Sequence, residues 1–202
     1  MLLQRTNRHE LGYSLVELLL TLVITLIIMG AAVAVFSGAL SIRARESSKT
    51  DAITSAQAAL SVMSREIGNA GYGLLTNGLV VGDCSSTALR FRANTTNTNA
   101  TITEAGEDIT YFFDATSQSV VRHDRVTGVT SGIINRVSSV SFSYQNYTNV
   151  GNLDVGPSVQ TGKVTIALTV NLENVPGQPQ NQTVVLTSDV TLRNSQYMLG
   201  QY

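Results

Sequence analysis

An uncharged and strongly apolar run near the start of the chain constrains the fold more than any other feature. Residues 18–40 contain no charged side chain, and a helix needs about 20 apolar residues to cross the hydrocarbon core of a bilayer. A cleavable secretory signal has a shorter apolar core of about 7–15 residues. The run therefore predicts a membrane-spanning helix that is retained in the mature protein.

The charges before the run predict its orientation in the membrane. Arg5, Arg8 and His9 precede it, against one acid, Glu10. An excess of basic residues on a short flank keeps that flank in the cytoplasm. Everything after Leu40 is therefore expected outside the cytoplasm.

One carboxylate, Glu17, stands just inside the front edge of the run and has two interpretations. In the first turn of a helix a negative charge is favourable by about 0.3–1 kcal/mol, and nothing further is required. Alternatively, an acid within a spanning segment costs about 2.5–3.5 kcal/mol at the bilayer centre and tends to have a dedicated partner. The carboxylate alone supports either interpretation.

The sequence "GYSLVE" over residues 12–17, after a short basic leader, resembles the class III signal of type IV prepilins and pseudopilins. The resemblance implies that a prepilin peptidase cuts after Gly12 and methylates the new amino terminus at Tyr13. Phenylalanine is usual after the cut, so Tyr13 is a departure. The resemblance also implies that Glu17 pairs with the terminal amine of a neighbouring subunit during assembly.

Three small residues in the run, Gly30, Ala34 and Gly38, are spaced by four and share one helical face. Such a face allows two helices to approach closely in lipid. Many type IV pilins have a helix-breaking proline in this region, and the first proline here is Pro157. From the spacing of the three small residues we predict helix packing along this face.

The apolar pattern continues beyond the run with a helical period. Between residues 43 and 67 apolar side chains recur at spacings of three and four, at Ile53, Ala56, Leu60, Met63 and Ile67. The pattern predicts an amphipathic continuation of the same helix, giving one rod of roughly 80 Å. Glycines at residues 68, 71 and 73 are expected to end it.

The segment that ends the rod, "MSREIGNAGYG", is similar to the PilW family of minor pilins and to the related GspJ-type minor pseudopilins. The closing "VTLRN" also resembles the C-terminal strand of that group. We assign these residues to architecture rather than to chemistry, because the Ala-Gly-Tyr sequence equally describes a helix C-terminus.

Beyond residue 75 the chain predicts strands rich in β-branched and aromatic residues. The predicted segments are TALRFRA, DITYFFDA, SVVRHDRV, RVSSVSFSYQ, KVTIALTVNLE and TVVLTSDVTLRN. We expect a hairpin around residues 115–119 and a loop at "VPGQPQNQ" between the last two strands. The polar stretch "RANTTNTNATITEAGED" is expected to be an exposed loop.

These features predict an α+β protein, in which a long helix packs against an antiparallel β-sheet domain, and the resemblance implies a type IV pilin fold. Residues 1–12 are the leader, 13–41 the spanning segment, 42–72 the amphipathic continuation and 73–202 the β-rich head. The region between residues 73 and 130 matches no family segment, and its fold stays open.

No pattern in the sequence indicates catalysis, a cofactor or a metal site. The net charge is −1 and Arg43 and Arg45 form the only basic cluster beyond the run, so nucleic acid is not an expected partner. The lone Cys84 is expected to be a buried or half-buried thiol, and His123 a surface histidine. The acids of the head are scattered and lack the spacing of a calcium loop; they are Asp83, Glu104, Glu107, Asp108 and Asp154.

The resemblance implies a PilW-type minor pilin that primes or caps a type IV pilus after cleavage. Its expected partners are the prepilin peptidase, other minor and major pilins, the pilus assembly platform and the inner membrane. The head would lie in the periplasm and then at the cell surface within the pilus. Three alternatives stay open: a minor pseudopilin of a type II secretion tip, a membrane-tethered periplasmic binding domain, and a major fibre-forming pilin.

Overall fold

One long helix dominates the structure. The computed structural model describes residues 12–96, 101–148, 151–154 and 156–200. Helix α1 (Leu15–Gly68) has 54 residues, which at 1.5 Å per residue make a rod of about 80 Å. The prediction of a single continuous helix is confirmed. The helix begins two residues after Tyr13 and ends four residues before the boundary that we placed at residue 72.

The end of α1 is set by the chain turning away from the helix axis. Asn69 still donates its N–H to the carbonyl of Glu66, at 3.1 Å. Gly71 then adopts a φ of +78°, a conformation that glycine reaches without the steric cost of a Cβ. Its N–H donates to the carbonyl of Arg92, at 2.9 Å, instead of to the helix. Residues 69–76 consequently form turns.

Among the described residues the head contains eight strands in two antiparallel sheets, so the predicted fold class is confirmed. The strands are β1 (Ala88–Arg92), β2 (Asp108–Asp114), β3 (Ser119–Asp124), β4 (Thr130–Ile134), β5 (Val137–Thr148), β6 (Gly151–Asp154), β7 (Thr161–Asn171) and β8 (Thr183–Thr191). One sheet has the order β1-β2-β3-β4 and the other β6-β5-β7-β8. A short helix, α2 (Gln196–Leu199), follows β8.

The six predicted strand segments each contain a strand, and the predicted hairpin joins β2 and β3 through residues 115–118. The loop predicted between the last two strands is also present, over residues 172–182. Two strands were not predicted: β4, whose sequence is TSGII, and β6, which has four residues.

The C-terminal part of α1 packs against the head with the predicted face. Ala56, Met63 and Ile67 are completely buried and Leu60 nearly so. They join one core with the inward side chains of both sheets, including Leu89 and Tyr111 from the first sheet and Ile166 and Leu168 from the second. Because a buried Leu, Ile or Met contributes about 1.5–3 kcal/mol, this face fixes the helix on the head.

An ion pair and a tyrosine attach the end of α1 to the first sheet. Glu66 Oε2 accepts hydrogen bonds from Tyr111 Oη at 2.8 Å and from Arg122 Nε at 2.9 Å. Burial, followed by the adjacent Glu66 carboxylate, raises the pKa of Tyr111 far above its usual range. Tyr111 therefore stays a neutral donor, and the acid of "MSREIGNAGYG" has an architectural role.

The buried side chain of Asn77 holds the start of the head to the second sheet. Its Nδ2 donates to the carbonyls of Ser158 at 2.9 Å and Thr161 at 3.0 Å. Its Oδ1 accepts the N–H of Leu79 at 3.2 Å. Since 1% of Asn77 is exposed, water cannot replace these bonds, and the amide is a structural connection between the segment before β1 and the second sheet.

A buried carboxylate organises the loop before β2. Glu107 is fully buried, and it accepts the N–H groups of Thr103 and Glu104 at 3.0 Å and the hydroxyl of Thr96 at 3.1 Å. Burial by itself would raise the pKa of Glu107, but these hydrogen bonds lower it overall. The described flanks of the stretch that we expected to be an exposed loop thus fold onto this carboxylate; residues 97–100 lie outside the described residues.

Candidate functional site

The N-terminal part of α1 presents an apolar surface on all sides. Every side chain from residue 15 to residue 40 is exposed, including Leu15 at 82% and Phe36 at 67%. The helix is long and apolar enough to cross a membrane, and none of its most apolar 18-residue window is buried inside the protein. A surface of this kind in water would be strongly unfavourable, so it is consistent with membrane anchoring.

The two threonine hydroxyl groups of this apolar segment are satisfied by the helix itself. Thr21 Oγ1 donates to the carbonyl of Leu18 at 2.9 Å, and Thr25 Oγ1 donates to the carbonyl of Thr21 at 2.7 Å. Intrahelical bonds of this type remove the cost of placing a hydroxyl in hydrocarbon. These two threonines are therefore compatible with an apolar environment.

The residues of the predicted cleavage and assembly signal lie at the start of α1. Gly12, Tyr13 and Ser14 precede the helix, and Ser14 is extended, with φ −66° and ψ 141°. Tyr13 is 83% exposed. Glu17 lies exposed in the first turn, where the helix dipole favours a negative charge. The peptide bond after Gly12 is exposed and lies outside the helix; the rest of the predicted leader lies outside the described residues.

The small residues Gly30, Ala34 and Gly38 lie on one exposed face of α1, and they are far from Glu17. A Cβ added to Gly30 or Gly38 would meet no atom within 4 Å, so the head does not use this face. Ala34 is 17 residues after Glu17, which is about 26 Å along the axis and about 100° around it. The structure therefore keeps the predicted charge site and the predicted packing face separate.

The apolar surface of α1 ends where a loop of the head first touches the helix, and the contact with this loop was not predicted. Ser41 is the first half-buried residue of α1. Its Oγ donates to the carbonyl of Gly38 at 2.9 Å and accepts a hydrogen bond from Gln178 Nε2, in the loop between β7 and β8, at 3.4 Å. The end of the uncharged run at Leu40 was the signal for this boundary, but no pattern marked the loop as its partner.

Several other ionisable groups of the head are committed to structural contacts. Asp108 accepts two bonds from Arg90, at 2.6 and 2.7 Å, and one from Arg92 at 2.8 Å. Burial acts to raise the pKa of Asp108, but the two guanidinium groups lower it overall. Arg90 also pairs with Asp83. This cluster fixes β1 to β2 and to the preceding turn.

Cys84 and His123 also have local roles. Cys84 is half-buried, as predicted, and its Sγ lies 3.3 Å from the carbonyl of Arg90. Burial is the main cause that raises the pKa of the Cys84 thiol. His123 Nδ1 bonds to Thr130 Oγ1 at 2.8 Å, between β3 and β4. Within the described ranges, no three His, Cys, Asp or Glu side chains come together around a possible metal position.

Comparison with known families gives one match, at the N-terminus of the chain. Residues 7–33 match the prokaryotic N-terminal methylation motif, a range that includes Gly12, Tyr13, Glu17 and Gly30. Neither curated proteins nor solved structures gave a match. The motif implies processing by a prepilin peptidase and assembly with other pilins, and it belongs to structural rather than enzymatic proteins. It indicates that the chain is a type IV pilin-like or pseudopilin precursor.

Proposed function

We propose that the protein is a minor pilin of the PilW type that primes or caps a type IV pilus. The observation that supports this most strongly is the division of α1 into two halves. One half packs one face against the head, and the other is an exposed apolar rod with two internally bonded threonine hydroxyl groups and one acid. Such a rod can be held in a bilayer and then transferred into a bundle of similar helices.

Cleavage after Gly12 would create a positively charged partner for the carboxylate of Glu17. The new positive amine at Tyr13 and the Glu17 carboxylate of a neighbouring subunit would meet beside apolar helices, where the low dielectric strengthens their attraction. A buried charge without its partner is strongly penalised. The pair would therefore set the axial position at which a subunit enters the stack.

The packing face of Gly30, Ala34 and Gly38 would then bring neighbouring helices close together. The head would make lateral contacts through its outer strands. In β4, Thr130, Ser131 and Gly132 are exposed, and an edge strand offers unpaired backbone groups to another chain.

The first test is the intact mass and N-terminal sequence of the membrane-extracted protein, from wild-type cells and from cells carrying Gly12→Ala. We expect the wild-type chain to begin at a methylated Tyr13 and the variant to remain uncut. Ser14→Ala, two residues away, serves as a control that should be cut normally. A wild-type protein that retains Arg5 and Arg8, under conditions where other pilins are processed, would contradict the proposal.

The assembly role is tested with Glu17→Gln, which removes the charge and keeps the shape of the side chain. We expect this variant to be inserted and cut like the wild type but to be lost from sheared pili, because the amine has no partner. Glu17→Asp keeps the charge and should recover part of the incorporation. Wild-type amounts of Glu17→Gln in pili would refute the charge pair.

The pilus and secretion alternatives are separated by deleting the gene. Loss of surface pili with intact protein secretion supports the minor pilin. Loss of secretion with intact pili supports a minor pseudopilin, and a fully piliated, secreting strain favours the tethered binding domain.

A further inference from the structure

The loop between β7 and β8, residues 172–182, runs down the side of α1 toward the apolar segment. The N–H of Glu173 donates to Ser48 Oγ at 3.0 Å, and Gln178 Nε2 reaches Ser41 Oγ at 3.4 Å. Half-buried positions of the helix follow the same path at residues 41, 45, 48 and 52, a spacing that defines one helical face. The tip of the loop thus lies level with the end of the apolar run.

The depth of this level follows from the dimensions of a bilayer. A hydrocarbon core of about 30 Å corresponds to about 20 helical residues, so a helix with Glu17 at one edge reaches the other edge near residue 37. The polar headgroup layer occupies about a further 5–7 Å, or about three to five residues. Ser41, and with it the loop tip at Gln178, therefore falls within the headgroup layer.

The charges around this level favour phosphate groups. Residues 43–49 contain three basic side chains, Arg43, Arg45 and Lys49, and one acid, Glu46. Within the described ranges neither arginine forms an ion pair. Side chains on a helix lean toward its N-terminus, which here means toward the membrane, so both guanidinium groups can reach the headgroups.

The composition of the loop suits the same surface. Between Glu173 and Asp189 the chain has no charged residue, and Pro176, Gly177 and Pro179 at the tip are exposed. An uncharged tip can enter the headgroup layer without desolvating an ion, whereas an acidic tip would be repelled by lipid phosphates.

We propose that residues 172–182, together with Arg43 and Arg45, form a headgroup seat, a surface that rests on the phosphates of the leaflet from which the head emerges. The proposal rests on the membrane anchoring included in the proposed function. The seat holds the head against the bilayer before assembly, and it prefers anionic lipids. Entry into a pilus then requires its release from lipid.

The test uses the full-length chain in lipid nanodiscs, in a Cys84→Ser background. A fluorophore on Pro179→Cys reports the loop tip, and one on Leu75→Cys, which is 94% exposed in the wild type and lies beyond the far end of α1, is the matched control. The discs contain a phospholipid with a nitroxide quencher on its headgroup. We expect strong quenching at residue 179 and little at residue 75, whereas equal quenching at the two positions would overturn the proposal.

The contribution of charge is measured by comparing discs of phosphatidylglycerol with discs of phosphatidylcholine. Each basic residue near an anionic surface strengthens the attraction about fivefold. The double variant Arg43→Gln/Arg45→Gln should therefore lower the equilibrium constant for docking of the head on the bilayer roughly 25-fold in the anionic discs. Arg65→Gln, at the far end of α1, should lower it little. A wild-type protein that docks equally on both lipids refutes the role of the arginines. Displacement by added inorganic phosphate would instead indicate a site for soluble anions.

The two proposals fail in different ways. If the chain does not enter the discs, membrane anchoring is wrong, and the proposed function fails with it. If the chain enters the discs but residue 179 is not quenched, the headgroup seat is wrong, while cleavage after Gly12 and the role of Glu17 are unaffected.

Discussion

The substitution Asn77→Asp tests whether one buried amide holds the segment before β1 to the second sheet. It changes a single NH₂ group into an oxygen and keeps the size of the side chain. In the wild type that NH₂ group donates to the carbonyls of Ser158 and Thr161. In the variant both carbonyls lose their donor and face a carboxylate oxygen instead.

The expected loss follows from the two unsatisfied acceptors. A buried polar group without its partner costs about 1–3 kcal/mol, so Asn77→Asp should lower the free energy of unfolding by roughly 2–6 kcal/mol at pH 7. The bond from the N–H of Leu79 is retained, because the carboxylate still accepts it. The loss is a large part of the 5–15 kcal/mol that stabilises a typical domain.

The pH dependence gives the variant a distinctive signature. Burial and two facing carbonyls raise the pKa of the new carboxyl group in the folded state above its unfolded value of about 3.9. The folded state then binds more protons than the unfolded state, so the variant gains stability as the pH falls. A protonated carboxyl restores one of the two lost donors, and the difference from the wild type should shrink toward pH 4.

The measurement is urea unfolding of the full-length chain in nonionic detergent, followed by near-UV circular dichroism. The chain has seven tyrosines and no tryptophan, so tyrosine supplies the signal. Asn135→Asp, at an exposed position, introduces the same charge without breaking a buried bond and should change stability little. A loss below about 1 kcal/mol for Asn77→Asp, or a loss that grows on acidification, would refute the reasoning.

Two other substitutions test the loop before β2 and the turn after α1 by the same assay. Glu107→Gln should lose about 2–5 kcal/mol at pH 7, because an NH₂ group replaces an acceptor of charge-assisted bonds. The folded-state pKa of Glu107 is lowered. Its contribution to stability is therefore present above the unfolded pKa of about 4.3 and disappears as the pH falls through the folded pKa. A stability difference between variant and wild type that stays unchanged at low pH would contradict this. Gly78→Ala should cost at least about 3 kcal/mol, because φ is +78° and the new Cβ would overlap backbone atoms of Gly71 and Arg92. Gly128→Ala is the control, because φ is +73° and a Cβ there would meet no atom within 4 Å; it is expected to cost about 1–2 kcal/mol. Equal losses of stability for the two variants would show that the close backbone contacts of Gly78 do not matter.

Regular periodicity made the helix and most strands predictable. The spacing of Ala56, Leu60, Met63 and Ile67 identified the buried face of α1, because a helix brings residues three and four apart to one side. Alternation in β5 was equally clear, with Val140, Phe142 and Tyr144 buried. The β4 sequence TSGII escaped prediction because it is short and contains glycine, which weakens the strand signal.

The polar connections of the head could not be predicted in the same way. Glu107 lies in a polar segment, and Asn77 lies between the apolar pairs Leu74-Leu75 and Leu79-Val80. Neither segment has a helical or strand period that would indicate a buried polar side chain. Their bonding partners come from residues distant in the chain, such as Ser158, or from backbone N–H groups that the sequence does not distinguish. At the other end of the molecule, the residues of the N-terminal motif were recognisable because their chemistry is carried by consecutive positions.

The continuous core between α1 and the head has a mechanical consequence. The buried face from Ala56 to Gly68 runs parallel to the helix axis for about 18 Å. A force that pulls the head along the axis of α1 would load these contacts in shear, so that they must yield together. A force applied across the helix would separate them one at a time, beginning at Ala56 or at the Glu66–Arg122 pair. The protein is therefore built to carry axial tension better than bending.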